Sequence, residues 1–178
     1  MIDLVLTLIG PDRPGIVDAV SETVAAHGGN WLDSRMAHLA GKFAGVLCVE
    51  VDEERADALE EALTRLEVAG LRVVVERSSA VDAPRQQAMR IELLGLDRPG
   101  LVHEISSLLA EHRVNVEELA TDRTTAAHSG DRMFRAELRV LLPESVAPGT
   151  IREGLERLAA DLMVEIHLDE AAEVVVGH

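Results

Sequence analysis

Residues 9–17 read Ile-Gly-Pro-Asp-Arg-Pro-Gly-Ile-Val, and residues 94–102 read Leu-Gly-Leu-Asp-Arg-Pro-Gly-Leu-Val. The two stretches lie 85 positions apart, because Asp12 of the first corresponds to Asp97 of the second. The same offset pairs Leu4 with Met89, Leu6 with Ile91, Leu8 with Leu93, Ser21 with Ser106, Ala25 with Ala110, His27 with His112 and Asn30 with Asn115. A register kept over about thirty positions indicates an internal repeat. The chain is therefore predicted to consist of two copies of one unit.

Each copy has the pattern of a βαββαβ unit. Apolar residues alternate over residues 2–8, as is typical of a strand with one buried face, and then recur at helical spacing. The predicted elements are a helix with Ile16, Val17, Val20 and Val24 on its apolar face, strands at Trp31–Leu39 and Phe43–Val51, a helix with Ala56, Leu59, Leu63 and Leu66, and strands at Leu71–Val75, Phe134–Val140 and Leu162–Asp169. We expect an α+β protein of two ferredoxin-like units in tandem, each an antiparallel sheet with helices on one face.

Breaks in periodicity set the predicted domain boundaries. Residues 1–77 form the first unit, 78–87 a linker that contains Pro84, 88–169 the second unit and 170–178 a C-terminal tail. The stretch 124–131 replaces the tight turn predicted at Ala40-Gly41, and the apolar tail suits an extra strand or a contact with a second chain. Units of about 85 residues have modest cores and exposed sheet edges, so we expect a homodimer.

The repeated Asp-Arg-Pro-Gly loop leads from the first strand into the first helix. Pro14 and its equivalent Pro99 suit the first helical turn, and the preceding aspartates suit capping of the helix amides. Gly15 and Gly100 lack a Cβ, which permits close approach of a ligand to the backbone. The loop is either a well-formed turn or a site where helix amides hold a small carboxylate. In the second case, Asn30 and Asn115 are candidates for binding the ammonium group of an amino acid.

The ordered pattern resembles the ACT domain, a small-molecule-sensing module of ferredoxin-like fold. Two such units in tandem resemble the glycine cleavage system transcriptional repressor family, and two further stretches support that match: Asp33–Ala37 followed by Phe43–Gly45, and Ala127–Gly130 followed by Met133-Phe134. The resemblance covers Ile2 to about Leu168. It implies ligand-binding residues at Asp12, Arg13, Pro14, Gly15, Ile16, Asn30, Asp97, Arg98, Pro99, Gly100, Leu101 and Asn115. It also implies a non-enzymatic regulator that senses glycine or another small amino acid and engages a DNA-binding activator protein.

Charge and composition exclude several classes of function. The net charge is −15, divided as seven bases against fourteen acids in residues 1–80 and ten against eighteen in residues 81–178. A negative surface repels phosphate, and only three aromatic residues could stack on bases, so direct nucleic-acid binding is not expected. No apolar run approaches the roughly 20 residues of a membrane span, and no secretory leader is recognisable. We expect a cytoplasmic protein without a membrane segment.

The titratable residues do not form a recognisable metal or catalytic motif. The seven histidines and the single Cys48 show no His-x-x-x-His, Cys-x-x-Cys or Glu-x-x-His spacing. Cys48 lies in an apolar run, which favours a core position over a nucleophile. We therefore expect no metal, no cofactor and no enzymatic activity. The alternative to a sensor is a constitutive protein-interaction module in which the repeated loop is only a turn.

Overall fold

The computed structural model describes residues 1–78, 86–125 and 130–170, and the chain divides into two compact units, Met1–Val81 and Asp82–His178. The first unit begins with a strand whose alternating leucines enter the core and ends with a strand on the other side of that first strand. Its elements are β1 (Ile2–Pro11), α1 (Ile16–Ala26), β2 (Asn30–Leu39), β3 (Lys42–Val51), α2 (Glu53–Thr64), a 3₁₀ turn (Arg65–Ala69) and β4 (Arg72–Ser78).

The second unit repeats this order of elements. They are β5 (Gln87–Leu96), α3 (Leu101–Glu111), β6 (Asn115–Thr125), β7 (Arg132–Leu142), α4 (Pro148–Leu162) and β8 (Val164–Glu170). The sheets have the strand orders β2-β3-β1-β4 and β6-β7-β5-β8, and every neighbouring pair is antiparallel. The predicted fold class, two ferredoxin-like βαββαβ units, is confirmed.

The core of each unit lies between the helices and one face of the sheet. In the first unit, Leu4, Leu6 and Leu8 of β1 are buried together with a stripe of α1 side chains four residues apart. This arrangement follows from the period of two in a strand and of 3.6 in a helix. The opposite face of each sheet carries no helix and is at least partly exposed.

Three predicted core or element assignments are wrong in detail. Val17 is 45% exposed, because it lies on the flank of α1 rather than on the buried stripe. Leu66 belongs to the 3₁₀ turn that follows α2. Leu162 ends α4 instead of beginning the last strand, since Met163 has a left-handed backbone (φ 54°) that ends the helix before β8 starts.

The tight turn predicted at Ala40-Gly41 is confirmed, with Leu39 and Lys42 paired across it. The predicted linker overlaps the last residue of β4 and the first of β5, and its residues 79–85 lie outside the described part of the chain. Residues 126–129 of the longer hairpin loop and the tail from Ala171 onward also lie outside it. No helix in the described ranges is long and apolar enough to cross a membrane.

Candidate functional site

The two Asp-Arg-Pro-Gly segments, named here the first loop (residues 12–15) and the second loop (residues 97–100), enter their helices in the same way. Each helix follows a glycine, Gly15 or Gly100, and no side chain caps its amides. The first intrahelical bonds run from Ala19 N–H to the Gly15 carbonyl and from Glu104 N–H to the Gly100 carbonyl, both at 3.0 Å. The amides at 16–18 and 101–103 thus remain without a partner among the described residues.

Backbone conformation, more than space, accounts for glycine at the end of each loop. Gly15 has φ +88° and Gly100 has φ +96°, values that side-chain-bearing residues rarely adopt. An added Cβ at Gly15 would meet no atom within 4 Å, so close approach of a neighbour is not what requires glycine there. The structure also corrects the expected place of the prolines: Pro14 and Pro99 precede the cap glycines instead of lying in the first helical turn.

The aspartates attach the loops to the neighbouring hairpins and do not cap the helices as expected. Asp12 N–H donates to the Gly41 carbonyl at 3.0 Å, and Asp97 N–H donates to the Arg132 carbonyl at 2.8 Å. The Asp12 carboxylate lies 3.6 Å from His38 Nε2, which further ties this loop to the β2–β3 hairpin. Because a backbone bond fixes the start of each loop, the helix amides are held in a defined position relative to the sheet.

The two arginines have different partners, which makes the loops inequivalent. Arg13 donates to the carbonyl of Ala69 at 2.6 Å, at the end of the 3₁₀ turn. Arg98 instead forms a bidentate pair with Glu104, at 3.0 and 2.9 Å. Hydrogen bonds from Arg98 hold the pKa of Glu104 below its usual range. The residue equivalent to Glu104 in the first unit is Ala19, so the first loop has neither this carboxylate nor this ion pair.

Glu104 therefore occupies the space over the second loop. Its Oε1 lies 3.5 Å from the position that a Cβ on Gly100 would take. A ligand carboxylate at the amides of α3 would meet the negative charge of Glu104, whereas Ala19 has the equivalent position in α1. The acidic residue in the first turn of α1 is Asp18, one position earlier, where the second unit has His103. Sequence reasoning missed Glu104, although the repeat aligns it with the uncharged Ala19 four residues after the cap glycine.

The two asparagines lie at the other end of their sheets. Asn30 pairs with Glu50, which pairs in turn with Asp3 near the start of β1, while the first loop follows the end of β1. About nine residues of strand separate these ends, or roughly 30 Å. Asn115 has the matching position opposite Leu141, at the end of β7 remote from the second loop. A single unit does not bring loop and asparagine together.

No group of three or more His, Cys, Asp or Glu side chains is placed to hold a metal ion within residues 1–78, 86–125 and 130–170. Burial and the nearby carboxylates of Asp3 and Asp33 raise the pKa of the Cys48 thiol, which makes it a weak nucleophile at neutral pH. The groups available at each loop are the helix amides, one arginine that already has a hydrogen-bond partner and one aspartate carboxylate.

Comparison with known families agrees with this geometry. Models of the ACT domain match residues 3–76 and residues 89–140. The chain belongs to the ACT-domain family. It has two ACT domains in tandem, each of which contains one of the two loops.

Relatives of this tandem ACT-domain protein include a named regulator. The chain is 26% identical to the glycine cleavage system transcriptional repressor of Escherichia coli (strain K12) over 161 residues, which are 89% of this chain and 85% of the relative. It is 35% identical over 77 residues to a UPF0237 protein of Methanopyrus kandleri, covering 43% of this chain and 79% of that protein. Similarity to a repressor over most of both chains supports a regulatory, ligand-sensing role.

Two solved structures have the same fold over nearly their full length. A protein of unknown function from Galdieria sulphuraria superposes with a TM-score of 0.82 at 29% identity, covering 96% of this chain and 99% of the other. A protein described as a candidate glycine cleavage system transcriptional repressor superposes with a TM-score of 0.70 at 22% identity, covering 96% and 97%. At that identity, the second likeness establishes the tandem fold alone.

Proposed function

We propose that this tandem ACT-domain protein is a non-enzymatic cytoplasmic sensor of a small amino acid, glycine or one of similar size. In this proposal, ligand binding controls a partner protein that regulates transcription of amino-acid metabolism, such as a DNA-binding activator. The similarity to a glycine cleavage system transcriptional repressor over 89% of the chain supports the regulatory role. The net charge of −15 supports action through another protein, since the chain repels DNA phosphates.

We choose the first loop as the ligand site because the two loops differ. At the first loop, the α1 amides at 16–18 have no hydrogen-bond partner and no capping side chain in the described part of the chain, and Ala19 stands where the second unit has Glu104. We assign the ligand carboxylate to these amides, with Asp12, Arg13 and Pro14 shaping the entrance. The second loop then has a structural role, because its ion pair between Arg98 and Glu104 already occupies the equivalent space.

The ammonium group of the ligand needs an acceptor that the first loop does not provide. Asn30 of the same unit lies at the far end of the sheet and does not reach the loop. Asp12 remains close to the loop opening, with its carboxylate 45% exposed. We propose this carboxylate as the nearer acceptor, which would exchange its contact with His38 for the ammonium group.

Ligand size limits the affinity to a range that suits a metabolite sensor. The best small ligands gain about 1.5 kcal/mol per heavy atom, or about 7.5 kcal/mol for glycine. That value corresponds to a dissociation constant of roughly a few micromolar, and ordinary contacts would give tens of micromolar to millimolar. A coupling of about 1–3 kcal/mol between ligand and partner sites would then be enough for regulation.

Titration calorimetry against glycine and the other proteinogenic amino acids tests the site. Ala19→Glu places a carboxylate where the second unit has Glu104, and we expect it to weaken binding about tenfold or more through repulsion. Ala19→Gln has the same size without the charge and should bind within about threefold of the parent. Glu104→Ala should leave binding by the first loop unchanged.

The results separate the sensor from a constitutive interaction module. If the parent and Ala19→Gln release heat on binding and Ala19→Glu does not, the first loop is supported as the ligand site. Absence of heat and of thermal stabilisation with every amino acid at about 10 mM would rule out the sensor and favour the module. Loss of binding in Glu104→Ala, with Ala19→Glu unaffected, would move the site to the second loop.

A further inference from the structure

The helix-free faces of the two sheets differ in chemistry although their strands pair in the same register. In the first unit, Thr7 of β1 lies between Val46 of β3 and Val74 of β4. The equivalent row in the second unit is Glu92 of β5 between Glu137 and His167. At these three positions the first unit has uncharged side chains where the second has two glutamates and a histidine. On the edge strand the row continues to Arg35 in the first unit and to Ala120 in the second.

The neighbouring rows show the same contrast on their two central strands, while their β4 residues, Glu76 and Arg72, are charged. Val5 pairs with Cys48 in the first unit, where the second pairs Arg90 with Arg139. Ile9 pairs with Ala44, where the second unit pairs Leu94 with Arg135. In the second unit the arginines form ion pairs with nearby glutamates, because Arg135 donates to Glu137 and Arg139 donates to Glu117.

The apolar side chains of the first unit are substantially open to solvent. Ile9 is 41% exposed, Val46 48% and Val74 50%. Val46 and Val74 lie on either side of Thr7, and Ile9 is two residues further along the same central strand. The second unit demonstrates that the fold is compatible with charges at these positions, so the core does not require valine there. A contiguous exposed apolar patch on a soluble fold marks an interaction surface.

We infer that this apolar sheet face, formed by Val5, Thr7, Ile9, Ala44, Val46 and Val74, is a homodimer interface that packs against the same face of a second copy. A twofold axis brings one patch onto itself, and an apolar patch is complementary to itself. A surface with the prevailing negative charge of the chain would repel its copy, whereas Val46, Thr7 and Val74 in the central row of this face are uncharged. The charged residue of that row is Arg35, on the edge strand β2.

Charges at the edge of the face complement each other in one arrangement. Arg72 and Glu76 flank Val74 on β4, two residues to either side and on the same face of the sheet. When two copies stack with β4 antiparallel over β4, Arg72 of each lies over Glu76 of the other. Neither side chain forms an ion pair within the described part of the chain, so both are available for such contacts.

The area of the face is sufficient for a stable pair. Four strands about 4.8 Å apart, three of ten residues and one of seven, present roughly 600 Å² in projection, and more when side-chain relief is included. This is close to the roughly 800 Å² per partner of ordinary specific interfaces. Packed sheets lie about 10 Å apart, a separation that valine side chains from both faces fill by interdigitating.

Sedimentation equilibrium of the full chain tests the interface. The parent should be dimeric at micromolar concentration, and Val46→Glu/Val74→Glu should raise the dissociation constant about 100-fold or more by burying carboxylates without partners. Val46→Glu introduces the residue that the second unit has at this position, Glu137, so the fold should persist. Val68→Glu is the control, because Val68 lies in the 3₁₀ turn, outside the proposed interface, and is 94% exposed. This variant adds a carboxylate elsewhere on the surface and should dimerise as the parent does.

Charge exchange tests the arrangement of the strands. Arg72→Glu and Glu76→Arg should each weaken the dimer about tenfold, and the double variant should recover most of the loss because both reciprocal pairs are restored with reversed sign. A parent that stays monomeric at about 500 µM, or a Val46→Glu/Val74→Glu variant that dimerises normally, would overturn the interface. A double charge variant weaker than both single variants would overturn the antiparallel stacking. These measurements need no amino acid, so their failure is distinct from failure of ligand sensing.

Discussion

Glu104 and Ala19 follow their cap glycines by the same four residues, and this difference decides which loop has a carboxylate paired with its arginine. The side chain at this position reaches back over the start of the helix, because Cβ bonds tilt toward the N-terminus. In the second unit, Glu104 there holds Arg98 and covers Gly100. In the first, alanine leaves the helix amides open and Arg13 turns to the Ala69 carbonyl instead.

The pair between Arg98 and Glu104 should make stability depend on pH in the acidic range. Because the folded-state pKa of Glu104 is lowered, its contribution is present above the unfolded-state pKa and is lost as pH falls through the folded value. Arg98→Met should return the Glu104 pKa toward its ordinary value, as followed by NMR titration of the carboxyl carbon. The free-energy difference between parent and variant should then shrink as pH falls. A Glu104 pKa unchanged by the substitution would contradict the pairing.

At the scale of elements, the approach of β8 to β5 depends on a glycine. A Cβ at Gly95 would lie 2.8 Å from Val164 Cβ and 3.3 Å from Val164 Cα, so the start of β8 would have to shift. Gly10 has the same role in the first unit, where the Gly70 carbonyl oxygen would be 2.8 Å away. These two glycines are the penultimate residues of β1 and β5, directly before the loops, so the close approach at each of them also affects the position of the site.

Gly95→Ala should destabilise the chain by about 1–3 kcal/mol through overpacking, as measured by urea denaturation. Gly149→Ala is the matched control, because its Cβ would meet no atom within 4 Å in α4. That substitution should be neutral or stabilise the helix by up to about 1 kcal/mol. Equal stability of Gly95→Ala and the parent would show that β8 accommodates the methyl group without cost.

At the scale of the whole molecule, the negative charge is distributed over both units and bears on the proposed action through a partner protein. A surface of this sign gains nothing from displacing counterions on DNA. The chain alone, at about 10 µM and about 150 mM salt, should not retard duplex DNA in a gel-shift experiment. Retention of DNA at that salt concentration would contradict regulation through a partner protein.

Much of the fold was predictable because each copy of the repeat supports the other. The alternation over residues 2–8 and its equivalent 85 positions later indicate the same central strand, and the interruptions between apolar segments indicate the same helix ends. The errors at Val17 and Leu162 arise at boundaries, where local periodicity does not show whether a side chain faces the core or whether a helix continues. The candidate site was predicted only as a set of residue types.

By itself, the sequence determined the duplication, the order of elements, the charge and the family resemblance, since all of these are properties of residue spacing and composition. Only the tertiary structure decided that the asparagines lie at the opposite end from the loops. Because β2 and β1 are both antiparallel to β3, β2 runs parallel to β1 and begins at the end of the sheet where β1 begins, and β6 has the same relation to β5. The tertiary structure also decided that Glu104 covers one loop while the other stays open, and that an apolar face in one unit has a charged counterpart in the other. These facts depend on which strands become neighbours, and strand pairing joins residues that are distant in sequence.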